Sequence, residues 1–278
     1  MPDAIALTNI SSRAYTPRRM KGKSIGKRMM TDKILLYEEL SLNAHPSLQT
    51  QLFDGWILRY ANGYTNRANS INPLYPSVTD LQTKINECEK RYFAQGLPAV
   101  FKMNDGSDPL IDTALNERGY SIVTPTYVMD MDLRDKDFLF GDCFVASCAD
   151  DDWLDSYFTF SHYTNSVKRE TAKQILENVR STMICGRIIK NGASVACGSA
   201  VIERGYMALL NVVVDEPHRG KGYGNEICES LLSASKRLDA HTAYLQVVQD
   251  NKKAVNLYTK LGYKNLYSYW YRVKMDGA

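Results

Sequence analysis

One segment constrains this chain more than any other. From Val212 to Leu232 it reads V-V-V-D-E-P-H-R-G-K-G-Y-G-N-E-I-C-E-S-L-L. Three β-branched residues lead through a proline turn into a glycine loop, and apolar residues at helical spacing follow. The pattern predicts strand, loop, helix. Glycines at 220, 222 and 224 leave backbone N–H groups unshielded at a helix N-terminus. Several donors and the positive end of the helix dipole meet there, which is how helix starts hold anions. Arg219 and Lys221 add fixed positive charge, so a diphosphate is the natural guest. The alternative is a glycine-rich turn that merely caps a helix.

Two phosphate-loop patterns do not fit. The dinucleotide fingerprint requires a glycine where Asn225 stands. The nucleoside-triphosphate loop requires a glycine where Asp215 stands, and Ser or Thr where Lys221 is followed by Gly222. The pattern that fits is R-x-x-G-x-G, as Arg219, Gly222 and Gly224. Val212-Val213-Val214 precedes it, with Pro217 just ahead of the arginine. Downstream stand Asn251, Ala254, Leu257, Tyr258, Lys260, Gly262 and Tyr263, spaced as N-x-x-A-x-x-L-Y-x-K-x-G-[FY]. Over about residues 142–274 these motifs resemble the GCN5-related N-acetyltransferase (GNAT) superfamily.

The resemblance implies an α+β fold with mixed sheets: tandem GNAT-like domains, each a mostly antiparallel twisted sheet flanked by helices. It implies acetyl-CoA as cosubstrate; four scattered histidines without H-x-x-x-H or H-E-x-x-H predict no metal. Val212 and Val214 would pair through their main chains with the pantetheine arm, and an N–H at or beside Val213 would polarise the thioester carbonyl. Arg219, Gly220, Lys221, Gly222, Tyr223 and Gly224 would hold the pyrophosphate, and Asn251 and Asn256 would touch the coenzyme. Tyr258 stands where the family places a phenol near the coenzyme sulfur, as general acid; the same residue also belongs to an apolar helical stripe. For the general base, Glu203 at the end of the preceding strand is one candidate. Asp151, Asp152 and His162 are others, and a water relay or a desolvated amine would serve as well. Tyr157, Phe158, Phe160, Tyr163, Trp56 and Tyr269 are aromatic candidates for the acceptor side, with a core role as the alternative.

The two halves share a grammar. An offset of 143 residues carries Gly119-Tyr120 onto Gly262-Tyr263, the strand at Val100–Asn104 onto Ala243–Val247, and the helix starter Asp108 onto Asn251. We read a duplicated domain, with residues 31–135 as a degenerate N-terminal copy and residues 142–274 as the catalytic one. The N-terminal copy has no glycine loop, has Pro76 at the place of Arg219 and has Leu115 at the place of Tyr258. Asp54-Gly55-Trp56-Ile57-Leu58-Arg59 and Arg67-Ala68-Asn69-Ser70-Ile71-Asn72-Pro73-Leu74 resemble a bacterial subgroup of two-domain GNAT proteins. Asn62-Gly63 and Asn191-Gly192 each predict a hairpin. A helix is expected over 31–48, and two more over 150–180.

Composition excludes other classes. Apolar residues make up 44% of the chain and charged residues 23%, a globular balance. No run approaches the ~20 apolar residues that span a bilayer. The net charge of +3 divides unevenly: residues 1–30 hold seven basic side chains against Asp3, and the rest of the chain carries −3. Residues 1–30 therefore read as a disordered basic leader. An upstream extension before Met29 or Met30, and an organelle-targeting segment, are the alternatives. With the basic excess off the folded body, no specific nucleic-acid partner is expected, and no membrane partner. Six cysteines without C-x-x-C, and no secretory core, predict reduced thiols and a cytoplasmic protein. The expected activity is acetyl transfer from acetyl-CoA to an amine of a small molecule or protein, by direct attack in a ternary complex, in a monomer or homodimer. A non-catalytic acyl-CoA-binding regulatory module is the rival.

Overall fold

The computed structural model describes residues 22–277. The first helix, α1, runs over Gly22–Ala44, so the last residues of the expected leader belong to a helix. Residues 1–21 lie outside the described residues. The N-terminal half continues with β1 (Gln49–Phe53), β2 (Trp56–Tyr60), β3 (Ile71–Pro73), α2 (Leu81–Phe93), β4 (Ala99–Asn104), α3 (Pro109–Glu117) and β5 (Ser121–Asp132). The C-terminal half holds β6 (Cys143–Ala146), α4 (Asp151–Phe160), α5 (Ser166–Glu177), β7 (Thr182–Lys190), β8 (Ala193–Glu203), β9 (Tyr206–Val214), α6 (Tyr223–Lys236), β10 (Thr242–Val248), α7 (Lys252–Leu261) and β11 (Lys264–Lys274).

Local chemistry sets most helix starts. Asp80 accepts from Thr83 N–H at 2.9 Å, Asp108 from Leu110 at 3.0 Å, Asp150 from Trp153 at 2.8 Å and Asn251 from Ala254 at 3.2 Å. Each satisfies a donor that the first helical turn leaves free. Gly262, at φ +102°, closes α7 in the left-handed conformation. The Asn191-Gly192 hairpin forms with both residues at positive φ. The strands on either side of Asn62-Gly63, β2 and β3, also pair antiparallel, Trp56 with Pro73 and Leu58 with Ile71, but across the long connection 61–70 and not a two-residue turn. The first hairpin turns instead at Asp54-Gly55, pairing Phe53 with Trp56. Gly55 is required there, because a Cβ would stand 2.2 Å from the Pro76 carbonyl oxygen. Asn62-Gly63 turns the chain into an irregular stretch that leads to β3.

All eleven strands form one sheet, in the order β1-β2-β3-β4-β11-β5-β10-β9-β8-β7-β6. Apart from the edge strand β6, the order reads the same from either end, β1 standing opposite β7, β2 opposite β8, β3 opposite β9, β4 opposite β10 and β5 opposite β11; the 143-residue offset itself carries β2 into β8, β4 onto β10 and β5 onto β11. The pseudo-symmetry sits between β11 and β5, which pair antiparallel. Each half lends its last strand to the other. β11 pairs with β4 through Tyr269 to Lys274, and β5 pairs with β10 over Thr126 to Asp132.

One face is covered by α1. Its Ile34, Tyr37, Leu40 and Ala44 pack on Val100 and Val128 from the first half and on Val201, Ala208, Tyr244 and Tyr267 from the second. The α6 side of the C-terminal half buries Ile227, Cys228, Leu231 and Leu232 against the sheet. Burial of such side chains, at roughly 25 cal/mol per Å² of apolar area, is the main force holding these layers. The C-terminus of α1 is thereby fixed beside Ala208–Leu210 of β9 and Tyr244–Gln246 of β10.

Candidate active site

β9 and β10 run parallel but pair only at their starts, Tyr206 with Thr242, Met207 with Ala243 and Ala208 with Tyr244. Beyond those pairs the strands part. The cause lies in β9. Ser199 faces Leu210 and Cys197 faces Val213, so Asn211 and Val212 together oppose Gly198. That extra residue is a bulge, which bends a strand and redirects its side chains. Asn211 takes φ +55°, a left-handed conformation that asparagine tolerates, and its Nδ2 donates to Ser199 Oγ at 3.0 Å.

The gap opens into a cavity of about 550 Å³. Val212 and Val213 line it from β9, Gln246 and Val247 from β10, and Asn251, Ala254 and Tyr258 from the start and body of α7. Three groups expected at the site therefore meet there: the valine strand, the cap of α7 and the phenol. Val214 follows the lining residues and packs at the edge of the core. Asn256 is exposed and does not line the cavity.

Past Val214 the chain makes a short 3₁₀ turn over Glu216–His218 and enters the glycine loop. Gly220 and Gly222 take φ +78° and +90°, and a Cβ at either would meet open space. The need for glycine there is conformational rather than steric. Gly222 caps α6 without a side chain. None of the N–H groups of residues 220–224 is hydrogen-bonded among the described residues; the first bonds back are Asn225 and Glu226 to the Gly222 carbonyl, at 2.9 and 3.1 Å. This is the unshielded donor array expected from the sequence. A Cβ at Gly224 would make only ordinary contacts, 3.4 Å from Leu257 and 3.7 Å from Val214, so packing does not demand glycine there. Lys221 is exposed and Tyr223 half-buried. Arg219 turns back on the strand exit: its Nε donates to the Val214 carbonyl at 3.3 Å, and Nη1 lies 3.5 Å from Glu216. The loop stands at the end of β9 rather than in the cavity wall.

Tyr258 meets Tyr263 edge to face, with ring centroids 6.0 Å apart. Burial, and secondly the nearby Cys228 thiol, push its phenol well above the usual value. The group keeps its proton throughout the physiological range, which suits an acid and not a base.

The carboxylate candidates lie elsewhere. Glu203 is taken up by Asn43 Nδ2 at 3.1 Å, Ser181 Oγ at 3.2 Å and Arg204 Nε at 3.4 Å. It pairs with Tyr206 at the closed end of the β8–β9 hairpin, away from the gap. Asp152 pairs with Arg187 at 3.0 Å. Neither it nor Asp151 nor His162 lines the cavity. No Asp or Glu does.

The aromatic candidates divide. Tyr157, Tyr163 and Tyr269 line the cavity, while Trp56, Phe158 and Phe160 are core. His45, Tyr64, Arg67, Gln246 and Tyr271 also line it, and the sequence reading assigned them no role. They come from both halves, and only the strand exchange brings them together.

A family model described as probable histone acetyltransferase Rv0428c C-terminal matches residues 31–272. The chain belongs to this family. A curated relative, the uncharacterized N-acetyltransferase YobR of Bacillus subtilis (strain 168), is 28% identical over 258 residues, spanning 87% of this chain and 99% of YobR. Among solved structures, a GCN5-related N-acetyltransferase from Kribbella flavida superposes with a TM-score of 0.61 at 14% identity, over 91% of this chain and 96% of that one. A tandem GNAT protein from the clavulanic acid biosynthesis pathway gives 0.55 at 13% identity, over 71% and 70%. The family and fold are those of a GNAT-type N-acetyltransferase. The family match covers both halves of the sheet and the whole cavity. No described helix is long and apolar enough to cross a membrane.

Proposed function

We propose that this protein transfers an acetyl group from acetyl-CoA to an amine in a ternary complex. The observation that carries the reading is the join between two features of β9. The strand parts from β10 to open a cavity, and its end delivers a loop whose N–H groups are free. Amides 220–224 would receive the coenzyme's diphosphate, with Lys221 and Arg219 adding charge. Arg219 would leave Glu216 to do so. The parted backbone at Val212–Val214 would pair with the pantetheine arm, and an N–H there would polarise the thioester carbonyl.

In the transfer, the amine nitrogen forms a bond to the thioester carbon and the carbon–sulfur bond breaks. The sulfur takes the proton of Tyr258, the nitrogen gives up one of its own to water, and a proton from water returns to the phenolate. An amine of ordinary pKa costs about 4.6 kcal/mol to deprotonate at pH 7. With no carboxylate in the wall, that proton leaves through water rather than to a buried acid group. The acceptor is an amine of a small molecule or a protein, and the protein works in the cytoplasm.

Thiol release from acetyl-CoA, followed with and without a panel of amines, tests the reading. Release stimulated by amines supports it. Tight coenzyme binding with no stimulated release by any amine would make the protein a non-catalytic binder.

A further inference from the structure

The cavity carries a positive charge that no carboxylate of the described residues balances. Arg67 lines it and pairs with no carboxylate among the described residues. Its guanidinium faces the phenols of Tyr269, Tyr271 and Tyr157. A second guanidinium fixes its backbone. Arg59, 3% exposed, donates from Nη1 to the Arg67 carbonyl at 2.5 Å and from Nη2 to the His45 carbonyl. The two residues are thus pinned together at the cavity wall.

Two further polar atoms lack partners there. The Tyr269 hydroxyl donates to Gln246 Oε1 at 3.2 Å, which leaves Gln246 Nε2 as a buried donor with no partner. His45 Nε2 is also buried and unpartnered. Burial first, and then Arg67 and Arg59, hold the His45 imidazole well below its usual pKa, so the ring is neutral. Buried polar groups left unpaired are costly, and so is an uncompensated charge. The side chains that bear these groups line one cavity, and a guanidinium beside an amide with an unspent N–H makes a socket for an anion.

We propose that this socket receives an anionic group of the acceptor, and that Arg67 is the specificity-determining residue. The acceptor class is then a small amine that also carries a carboxylate or a group of like charge, as amino acids do. A guanidinium binds a carboxylate through two parallel hydrogen bonds, which fixes orientation as well as charge. A simple amine or polyamine is cationic at neutral pH. It would meet Arg67 as a like charge with no Asp or Glu in the wall to offset the repulsion. The same positive charge favours loss of the acceptor's ammonium proton, which fits a site without a carboxylate base.

The inference rests on the acetyltransferase reading, and the test separates the two. Amino acids are compared, each beside its carboxamide and its decarboxylated amine, with aminoalkyl phosphates as a further arm. Thiol release and direct calorimetric binding are both read. The expected result is a preference of about tenfold or more in kcat/KM for the anionic member of a pair. The phosphate arm tells whether carboxylate or phosphate is the preferred anion. Arg67→Ala should erase the preference and leave coenzyme affinity unchanged. Arg67→Lys, which keeps the charge but not the fork, should raise KM for the acid while kcat holds. A preference for the neutral amines, or a loss in R67A of coenzyme affinity instead of acceptor affinity, would overturn the proposal. If no amine is acetylated, the acetyltransferase reading fails. Binding of the acids over their amides by the wild-type protein then still decides the role of Arg67.

Discussion

Lys102 Nζ lies 2.6 Å from Glu38 Oε2, and both side chains are sealed from water. Tyr267 adds a 2.7 Å hydrogen bond to the other carboxylate oxygen. One buried carboxylate on α1 thus gathers β4 from the first half and β11 from the second. Replacing one partner strands the other charge in the interior, which typically costs about 3–5 kcal/mol. Lys102→Met should lower the denaturation midpoint accordingly, and adding Glu38→Gln should recover part of the loss. Equal stability of K102M and wild type in urea titration would show that the pair is unimportant.

The Arg272–Asp112 contact predicts an acid limit. Arg272 Nη2 and Nε reach the two Asp112 oxygens at 2.7 and 2.9 Å, and Trp270 Nε1 adds a bond at 2.9 Å. The Arg272 hydrogen bonds first, and Trp270 after them, hold the Asp112 carboxyl below its usual range, against the opposing effect of burial. A folded pKa below the unfolded value means stability that is present above about pH 4 and lost as pH falls through the folded value. Asp112→Asn should be less stable than wild type by about 1.5–3 kcal/mol at pH 7. The gap should shrink as pH falls from 4 towards 2. A gap that stays constant down to pH 2 would contradict the assignment.

The exchanged strands predict that the halves do not fold separately. A fragment of residues 31–135 lacks β11, which fills the place between β4 and β5. It would expose two unpaired strand edges, which invite aggregation. We expect no cooperative unfolding from this fragment alone, and a folded complex when it is co-expressed with residues 142–274. A sharp thermal transition for the isolated fragment would show that each half closes its own sheet.

Tyr258→Phe removes one hydroxyl from the cavity wall. Because a thiol is a fair leaving group, turnover should fall by about 10- to 100-fold, and coenzyme affinity should stay within about twofold. The raised pKa of this phenol adds a second expectation. The wild-type kcat should show no alkaline decline from Tyr258 below about pH 10. Unchanged turnover in Y258F would reduce the residue to packing.

What could be read in advance follows the range of each signal. The glycine loop, the Asn251 cap, the Gly262 stop and the Asn191-Gly192 turn are written in adjacent residues, and all appear where expected. The 143-residue offset carries β4 onto β10 and β5 onto β11, but it could not tell that β5 and β11 change places, because strand partners are chosen by contacts far apart in sequence. Asp54-Gly55 and Asn62-Gly63 carry equal turn chemistry, and what sets the first apart is contacts made elsewhere: the pairing of Phe53 with Trp56 and the Asp54 carboxylate held by Ser77, Val78 and Thr79. The bulge at Asn211 left no local mark, since asparagine is an ordinary strand intruder. Arg67 was visible only as part of a motif. Its place opposite β9 and β10 depends on the hold of Arg59 and on the exchanged strand that carries Tyr269.

A crystal structure of the full chain with acetyl-CoA would test the central claim most directly. The account predicts the diphosphate on the amides of residues 220–224, the pantetheine arm between Val212–Val214 and β10, and the sulfur beside Tyr258. An ordered coenzyme bound elsewhere, or no density in the β9–β10 gap at saturating concentration, would contradict it.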